Sequence, residues 1–155
     1  MRLDRTWIEK HLPHQGRMCL LDEVLAWDPT HIRCRSASHA AHDHALRALG
    51  RLGAACGIEY AAQAMALHGA LVASDQEGAA RGGFLASVRG VRFAVLRLDD
   101  VPGDLVCEAT RVAGDRDTVV YEFRVAGATT VGTACQTLLS GRATIALQDS
   151  VSFPA

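Results

Sequence analysis

The sequence predicts an α+β fold in which an antiparallel sheet wraps one long buried helix, and three observations predict it. Residues 54–71, AACGIEYAAQAMALHGAL, are rich in alanine, methionine and leucine and contain no proline, so helix propensity and apolar content agree there. After that stretch the chain reads as a succession of β segments separated by turn-forming residues. Finally, 155 residues of which 49% are hydrophobic suffice for one domain, spanning 1–155, with a single substantial core. Long apolar helix plus consecutive strands is the pattern of a sheet laid over a helix.

Taken in order, residues 6–11 form a short helix with Thr6 as N-cap and Glu9 in the capping-box position, ended by Pro13. Residues 18–27 mix branched and apolar side chains ahead of the turn signal Asp28-Pro29-Thr30, and read as a strand hairpinned onto a second, 31–38. A histidine-rich connection, 39–53, delivers the chain to the central helix. At ~1.5 Å per residue that helix is ~27 Å long, buried on nearly every side, and too interrupted by Glu59, Gln63 and His68 to favour a membrane span. Its many small residues let a sheet approach its axis closely. Residues 74–83 are polar and glycine-rich and read as a loop. Four strands follow, 84–96, 104–112, 118–125 and 131–147. In the third, Val119, Tyr121, Phe123 and Val125 alternate with Val120, Glu122 and Arg124, so one face should be covered. Ser140-Gly141 is the expected site of a bulge in the last strand.

The composition excludes several classes of function. A net charge of −1, without any basic stripe, gives no electrostatic footprint for nucleic acid. The N-terminus mixes acids with bases and lacks a continuous apolar run, so it is no signal peptide and the cytoplasm is the expected location. Five widely spaced cysteines, Cys19, Cys34, Cys56, Cys107 and Cys135, sit in apolar contexts with no CxxC, and read as reduced core thiols rather than a disulfide frame or zinc site. A metal site from His39, His42, Asp43 and His44 lacks the helical i, i+4 zinc pattern, and no metal or other cofactor is expected. Glu59 and Gln63 stand four residues apart and share one face of the apolar helix. A carboxylate placed there requires a reason.

Three stretches supply one. LPHQGRMCLLDEVL (12–25), GIEYAAQAM (57–65) and FLASVRGVRFAVLRLDDVPGDLV (84–106) resemble, in order and spacing, the opening LPH…LLVDRV, the IEALAQ helix and the F-A-G…VRF…PGD run of 3-hydroxyacyl-carrier-protein dehydratases of the FabZ type. The wording of the first two is most similar to the ApeP-like branch, which is associated with aryl-polyene and xanthomonadin-type pigments. The resemblance implies a hot-dog fold, dehydration of 3-hydroxyacyl thioesters held on the phosphopantetheine of an acyl carrier protein, and a site shared between two hot-dog subunits, in a homodimer or a heterodimer. It also implies that Glu59 is the helix acid. The chain departs from the family at H-F-P-x-x-P-V-M-P-G, whose histidine stands fourteen residues before the acid: Ala45 occupies that position and the prolines are missing. His39, just after the second strand, is the expected replacement, with His42 and His44 as rivals.

Loss of water from a 3-hydroxyacyl thioester needs a base for a C2 proton and an acid for the departing C3 hydroxyl, roles that a neutral imidazole and a protonated carboxyl can fill. Burial among alanines would raise the pKa of Glu59 and suit it to the acid's role. Gln63 either positions Glu59 or packs at the helix–sheet seam. Backbone N–H groups at the helix start, around Ala54 and Ala55, lack intrahelical partners and could receive the thioester oxygen. His14 reads as a loop-fixing residue. His68, half a turn round from Glu59, reads as a structural residue capping the helix or bonding a carbonyl. Arg81, Arg89, Arg92 and Arg97 are either a solvated strand face or contacts for an acidic carrier protein and its phosphate. Two other functions compete: a hot-dog acyl thioesterase, and a non-catalytic subunit that completes a heterodimeric dehydratase.

Overall fold

Helix α2 (Gly57–Asp75) turns Tyr60, Ala61, Ala64, Met65, Leu67 and Leu71 inward, and the sheet closes over that face. The protein is described here by a computed structural model covering residues 3–76, 81–128 and 136–148. Its strands are β1 (Glu23–Trp27), β2 (His31–Ser36), β3 (Gly83–Phe93), β4 (Leu105–Gly114), β5 (Thr118–Gly127) and β6 (Gln136–Leu147). They form one antiparallel sheet in the order β1-β2-β4-β5-β6-β3, with α2 packed on β2, β4 and β5. The short helix α1 (Arg5–His11) rests against α2, and its Ile8 is fully buried in the core. This is the expected hot-dog architecture.

Close approach of helix and sheet depends on Gly57. A Cβ built there would lie 2.5 Å from Leu139 Cδ2 on β6, so the Leu139 side chain would have to shift to admit one. On β5 the alternation holds as predicted: Val119, Tyr121, Phe123 and Val125 are buried, and Glu122 is exposed. Directly paired across β2 and β4, Cys34 and Cys107 are buried free thiols, and desolvation pushes Cys34 up to about 12. Cys19 is buried and free as well, Cys56 is free and half-buried, and Cys135 lies outside the described residues.

Several boundaries differ from expectation for identifiable reasons. The first helix is capped by Asp4, whose carboxylate accepts the Trp7 N–H at 3.2 Å; Thr6 lies inside it, and Glu9 instead bonds Arg5. The first strand begins at Glu23 rather than residue 18, because the Leu20 N–H and Met18 carbonyl are taken by the Gln63 side chain instead of a neighbouring strand. A 3-10 turn, Ala54–Cys56, precedes α2, which then continues to Asp75. Against β5 the register shift of β6 falls opposite Val125 and Ala126 while Gly141 pairs regularly with Phe123, whereas against β3 a shift between Arg89 and Arg92 falls at Ser140–Arg142, with the extra residue on β3. That glycine is needed for space, since a Cβ would meet Phe123 Cζ at 2.9 Å. Of the last predicted strand, residues 131–135 lie outside the described residues.

The helix is also less enclosed than predicted. One stripe, Glu59, Ala62, Ala66, Gly69 and Ala73, is half-buried or exposed. These positions recur every three or four residues and therefore form a single face. No helix among the described residues is long and apolar enough to cross a membrane.

Candidate active site

The open stripe of α2 forms the floor of a groove of about 650 Å³. Its walls come from the loop after α1 and from the sheet, through His14, Leu85, Tyr121 and Ile145 among others. Small side chains along the helix keep the floor low, and the lining is mostly apolar with a few convergent polar groups, the character of a ligand site.

Glu59 stands at this groove, and its surroundings are built by Gln63. The Gln63 side chain is almost fully buried; its Oε1 accepts the Leu20 N–H at 2.9 Å, and its Nε2 donates to the Met18 carbonyl at 2.8 Å. Segment 18–20 is thereby fixed to α2, and the loop just before it brings His14 to the helix. The same Gln63 Nε2 approaches Glu59 Oε1 at 3.3 Å, and His14 Nε2 approaches that oxygen at 3.2 Å. Two nitrogens thus converge on Oε1, Gln63 Nε2 as a hydrogen-bond donor and His14 Nε2 at ion-pair distance. Oε2 accepts from no described residue. His14 Nδ1 is buried without a partner among the described residues, which leaves Nε2, at ion-pair distance from Oε1, as the nitrogen that meets Glu59.

Glu59 was expected to be enclosed by alanines. Its side chain is 35% exposed and that of His14 is 31% exposed, because both border the groove. Of the expected positioning roles for Gln63, the structure shows contact with Glu59 and, in addition, a tie to the preceding loop. The donors expected to be open at the helix start are mostly engaged. Ala54 donates to the Leu96 carbonyl, Cys56 to Gly53, and Gly57 to Ala54 and Ala55. Ala55 is exposed at the same turn.

The connection histidines lie elsewhere. His39 is almost completely buried, with Nε2 3.0 Å from the Val101 carbonyl and Nδ1 without a partner among the described residues. It does not line the groove. His44 is buried, and both its nitrogens are committed: Nδ1 accepts the Leu46 N–H at 3.0 Å, so Nε2 carries the proton and donates to Tyr60 Oη at 2.8 Å. Tyr60 in turn reaches Ser38 Oγ at 2.6 Å, and Ser38 donates to the Leu20 carbonyl. Desolvation holds His44 below the usual imidazole value. His42 is exposed. Among the described residues no group of three or more His, Cys, Asp or Glu is placed to hold a metal ion. His68 does bond a carbonyl, as anticipated, donating from Nε2 to Asp28 at 2.8 Å while Nδ1 accepts from Tyr121 Oη at 2.8 Å. It nonetheless contributes to the lining of the groove, which reaches round the helix further than its Glu59 face.

His14, which the sequence reads as a loop-fixing residue, is the histidine that the structure brings to Glu59. The signal was present in the LPHQG opening and the IEYAAQ helix, but not the knowledge that Gln63 joins them. Among the arginines, Arg81 and Arg97 are engaged, Arg81 with Asp117 and the Gln148 carbonyl, and Arg97 with Asp99 and Asp100. Arg89 and Arg92 are exposed on β3 and have no ion-pair partner among the described residues.

A family model described as ApeP dehydratase, of the ApeP-like group, matches residues 6–147. No curated protein matches the chain significantly. Among solved structures, the dehydratase heterocomplex ApeI:P from Xenorhabdus doucetiae is similar at 21% identity with a TM-score of 0.75, covering 92% of this chain and 91% of that one. A thioesterase family protein from Silicibacter pomeroyi superposes with a TM-score of 0.64 at 12% identity, over 90% of this chain and 94% of that one. Thioesterase HI1161 from Haemophilus influenzae gives 0.58 at 14% identity, over 82% and 78%. At these identities the structural likenesses establish the fold alone.

Proposed function

The chain belongs to the ApeP-like dehydratase family, and from that membership we propose that it acts, as a single hot-dog domain, in dehydrating 3-hydroxyacyl thioesters carried on an acyl carrier protein to trans-2-enoyl thioesters. One observation carries the reading: Glu59 is the carboxylate that borders the groove, with Oε1 met by Gln63 and His14 and Oε2 without a donor among the described residues. A carboxyl so oriented can offer Oε2–H to a departing C3 hydroxyl, while an imidazole takes the C2 proton. His39 is the base that the resemblance implies. With Nε2 against the Val101 carbonyl that nitrogen must carry the ring proton, so Nδ1 is the basic one. Ala55, exposed at the start of α2, is the remaining place near the helix dipole for the thioester oxygen. From Glu59 to Ala73 the groove floor runs ~21 Å at 1.5 Å per residue, which suits an extended acyl chain of the fatty-acid or aryl-polyene kind.

A second hot-dog subunit completes this reading. Among the described residues β3 pairs only with β6, leaving its other edge open along an eleven-residue strand that exposes Phe84 and Phe93. Such an edge invites pairing. A strand added there would lie beside Leu85 and wall the groove. Arg89 and Arg92, on the same strand, suit the phosphate or acidic surface of a carrier protein in the cytoplasm. The ApeI:P likeness favours a partner of a different sequence, and the alternative of a non-catalytic subunit rests on the same likeness. Incubation of the pure chain with 3-hydroxyacyl and saturated acyl carrier-protein thioesters tests the proposal. Loss of water from the hydroxyacyl chain supports it, release of free thiol from either supports a thioesterase, and silence until a hot-dog homologue is added supports the non-catalytic subunit.

A further inference from the structure

We propose that His14 is a positioning residue for Glu59, holding Oε1 from the same chain so that Oε2 is the oxygen presented to the substrate; this rests on the reading of Glu59 as the acid. Three features of the site support it. His14 Nε2 and Gln63 Nε2 lie 3.2 and 3.3 Å from one and the same oxygen, and a carboxyl gripped through a single oxygen has a defined outward one. The ring has one useful tautomer, since Nδ1 is buried with no partner among the described residues and Nε2 lies 3.2 Å from Oε1. The loop that carries His14 is no free segment: Gln63 bonds both Met18 and Leu20, and Arg17 donates to the Asp43 carbonyl at 2.9 Å. One glutamine therefore sets the acid directly and, through the loop, sets the imidazole that completes its grip.

The consequence is a division of labour among the histidines. His14 does not touch the reacting carbons; it determines which oxygen of Glu59 does, and with what orientation. When Oε2–H passes its proton to the leaving hydroxyl, negative charge is left on the carboxylate, and the Nε2–H of His14 strengthens its bond to Oε1 as that charge appears. When the proton taken from C2 returns to Oε2, the bond relaxes and the site is restored. The balance is one proton from C2, one to the departing water, and none lost from His14.

The test uses the full chain, with its hot-dog partner where turnover requires one. His14→Ala should lower kcat by about 10–100-fold while KM stays within about twofold, because binding along the groove is untouched and only the acid is misplaced. His14→Gln, whose amide reaches the position of Nε2, should recover most of that loss. His14→Phe keeps the ring volume but donates nothing, so it should behave as His14→Ala and serves in its place if the alanine variant does not fold. Independently of turnover, ¹⁵N spectra of the imidazoles should show His14 as the Nε2–H tautomer, with ring shifts that change in Glu59→Ala while those of His39 do not. Full kcat in His14→Phe, or a His14 ring that is Nδ1-protonated or indifferent to Glu59, would overturn the inference while leaving the dehydratase reading intact. Undiminished turnover in Glu59→Gln would instead remove the reading on which it rests.

Discussion

Two polar clusters flank the same helix and differ in one respect. On the inward side, His44, Tyr60, Ser36, Ser38 and the Leu20 carbonyl form a closed chain in which His44, Tyr60 and Ser38 each find their partners inside the protein. At the groove, His14, Glu59 and Gln63 form an open one, with Oε2 of the groove-lining Glu59 left without a donor among the described residues. A closed network exhausts its hydrogen-bonding capacity on the fold. An open network keeps one oxygen in reserve for another molecule. The comparison also separates histidines that look alike in the sequence: the enclosed His39 and His44 bond within the fold, and His14, at the groove, sits beside the acid.

The comparison can be broken most severely at Glu59. Glu59→Gln should reduce turnover by about 10²-fold or more with little change in Tm, since the amide still accepts at Oε1 but cannot deliver a proton; steady-state kinetics and a thermal melt measured on one preparation check both halves. Next comes Gln63→Leu, which strikes both clusters. It strands the Leu20 N–H and the Met18 carbonyl, costing about 2 kcal/mol, and it releases the loop bearing His14, so activity and stability should fall together in denaturant titrations and assays. Tyr60→Phe should cost about 1–2 kcal/mol by leaving His44 and Ser38 without their shared hydroxyl, yet change kcat by less than about threefold. The loss would therefore be one of stability alone.

The smallest expected effect is that of pH. Burial holds His44 and His68 below the ordinary imidazole value of 6.5, so the folded chain binds fewer protons there than the unfolded chain does. Stability from these two groups is fully present above about pH 6.5 and is lost as pH falls below it. Tm should therefore decline on acidification towards pH 5, and His44→Gln should flatten that decline. A slope unchanged by the substitution would show that the enclosed cluster is not the source.

How much of this was legible beforehand differs between the two clusters for a physical reason. The alternation of Val119, Tyr121, Phe123 and Val125 fixed the buried face of β5, and the alanine-rich run placed α2, because periodicity is a local property. Glu59 and Gln63 were legible as a pair for the same reason, being one turn apart. The partnership of His14 with Glu59 was not, since it joins residues 45 positions apart through a loop whose path is set by a side-chain bond from Gln63. His39 drew attention because it follows the second strand, as a family histidine does; its burial and its bond to Val101 depend on a turn more than sixty residues away. Enclosure of Glu59 was over-predicted because an apolar helix sequence does not reveal which stripe the sheet leaves uncovered.

The central claim is that the oxygen left open on Glu59 delivers the proton with which water departs. Its most direct test is the intact mass of a 3-hydroxyacyl carrier protein after parallel incubation with the parent chain and with Glu59→Gln, each with the same hot-dog partner present. The account predicts loss of one water in the first reaction and an unchanged mass in the second. Equal loss of water in both would contradict it.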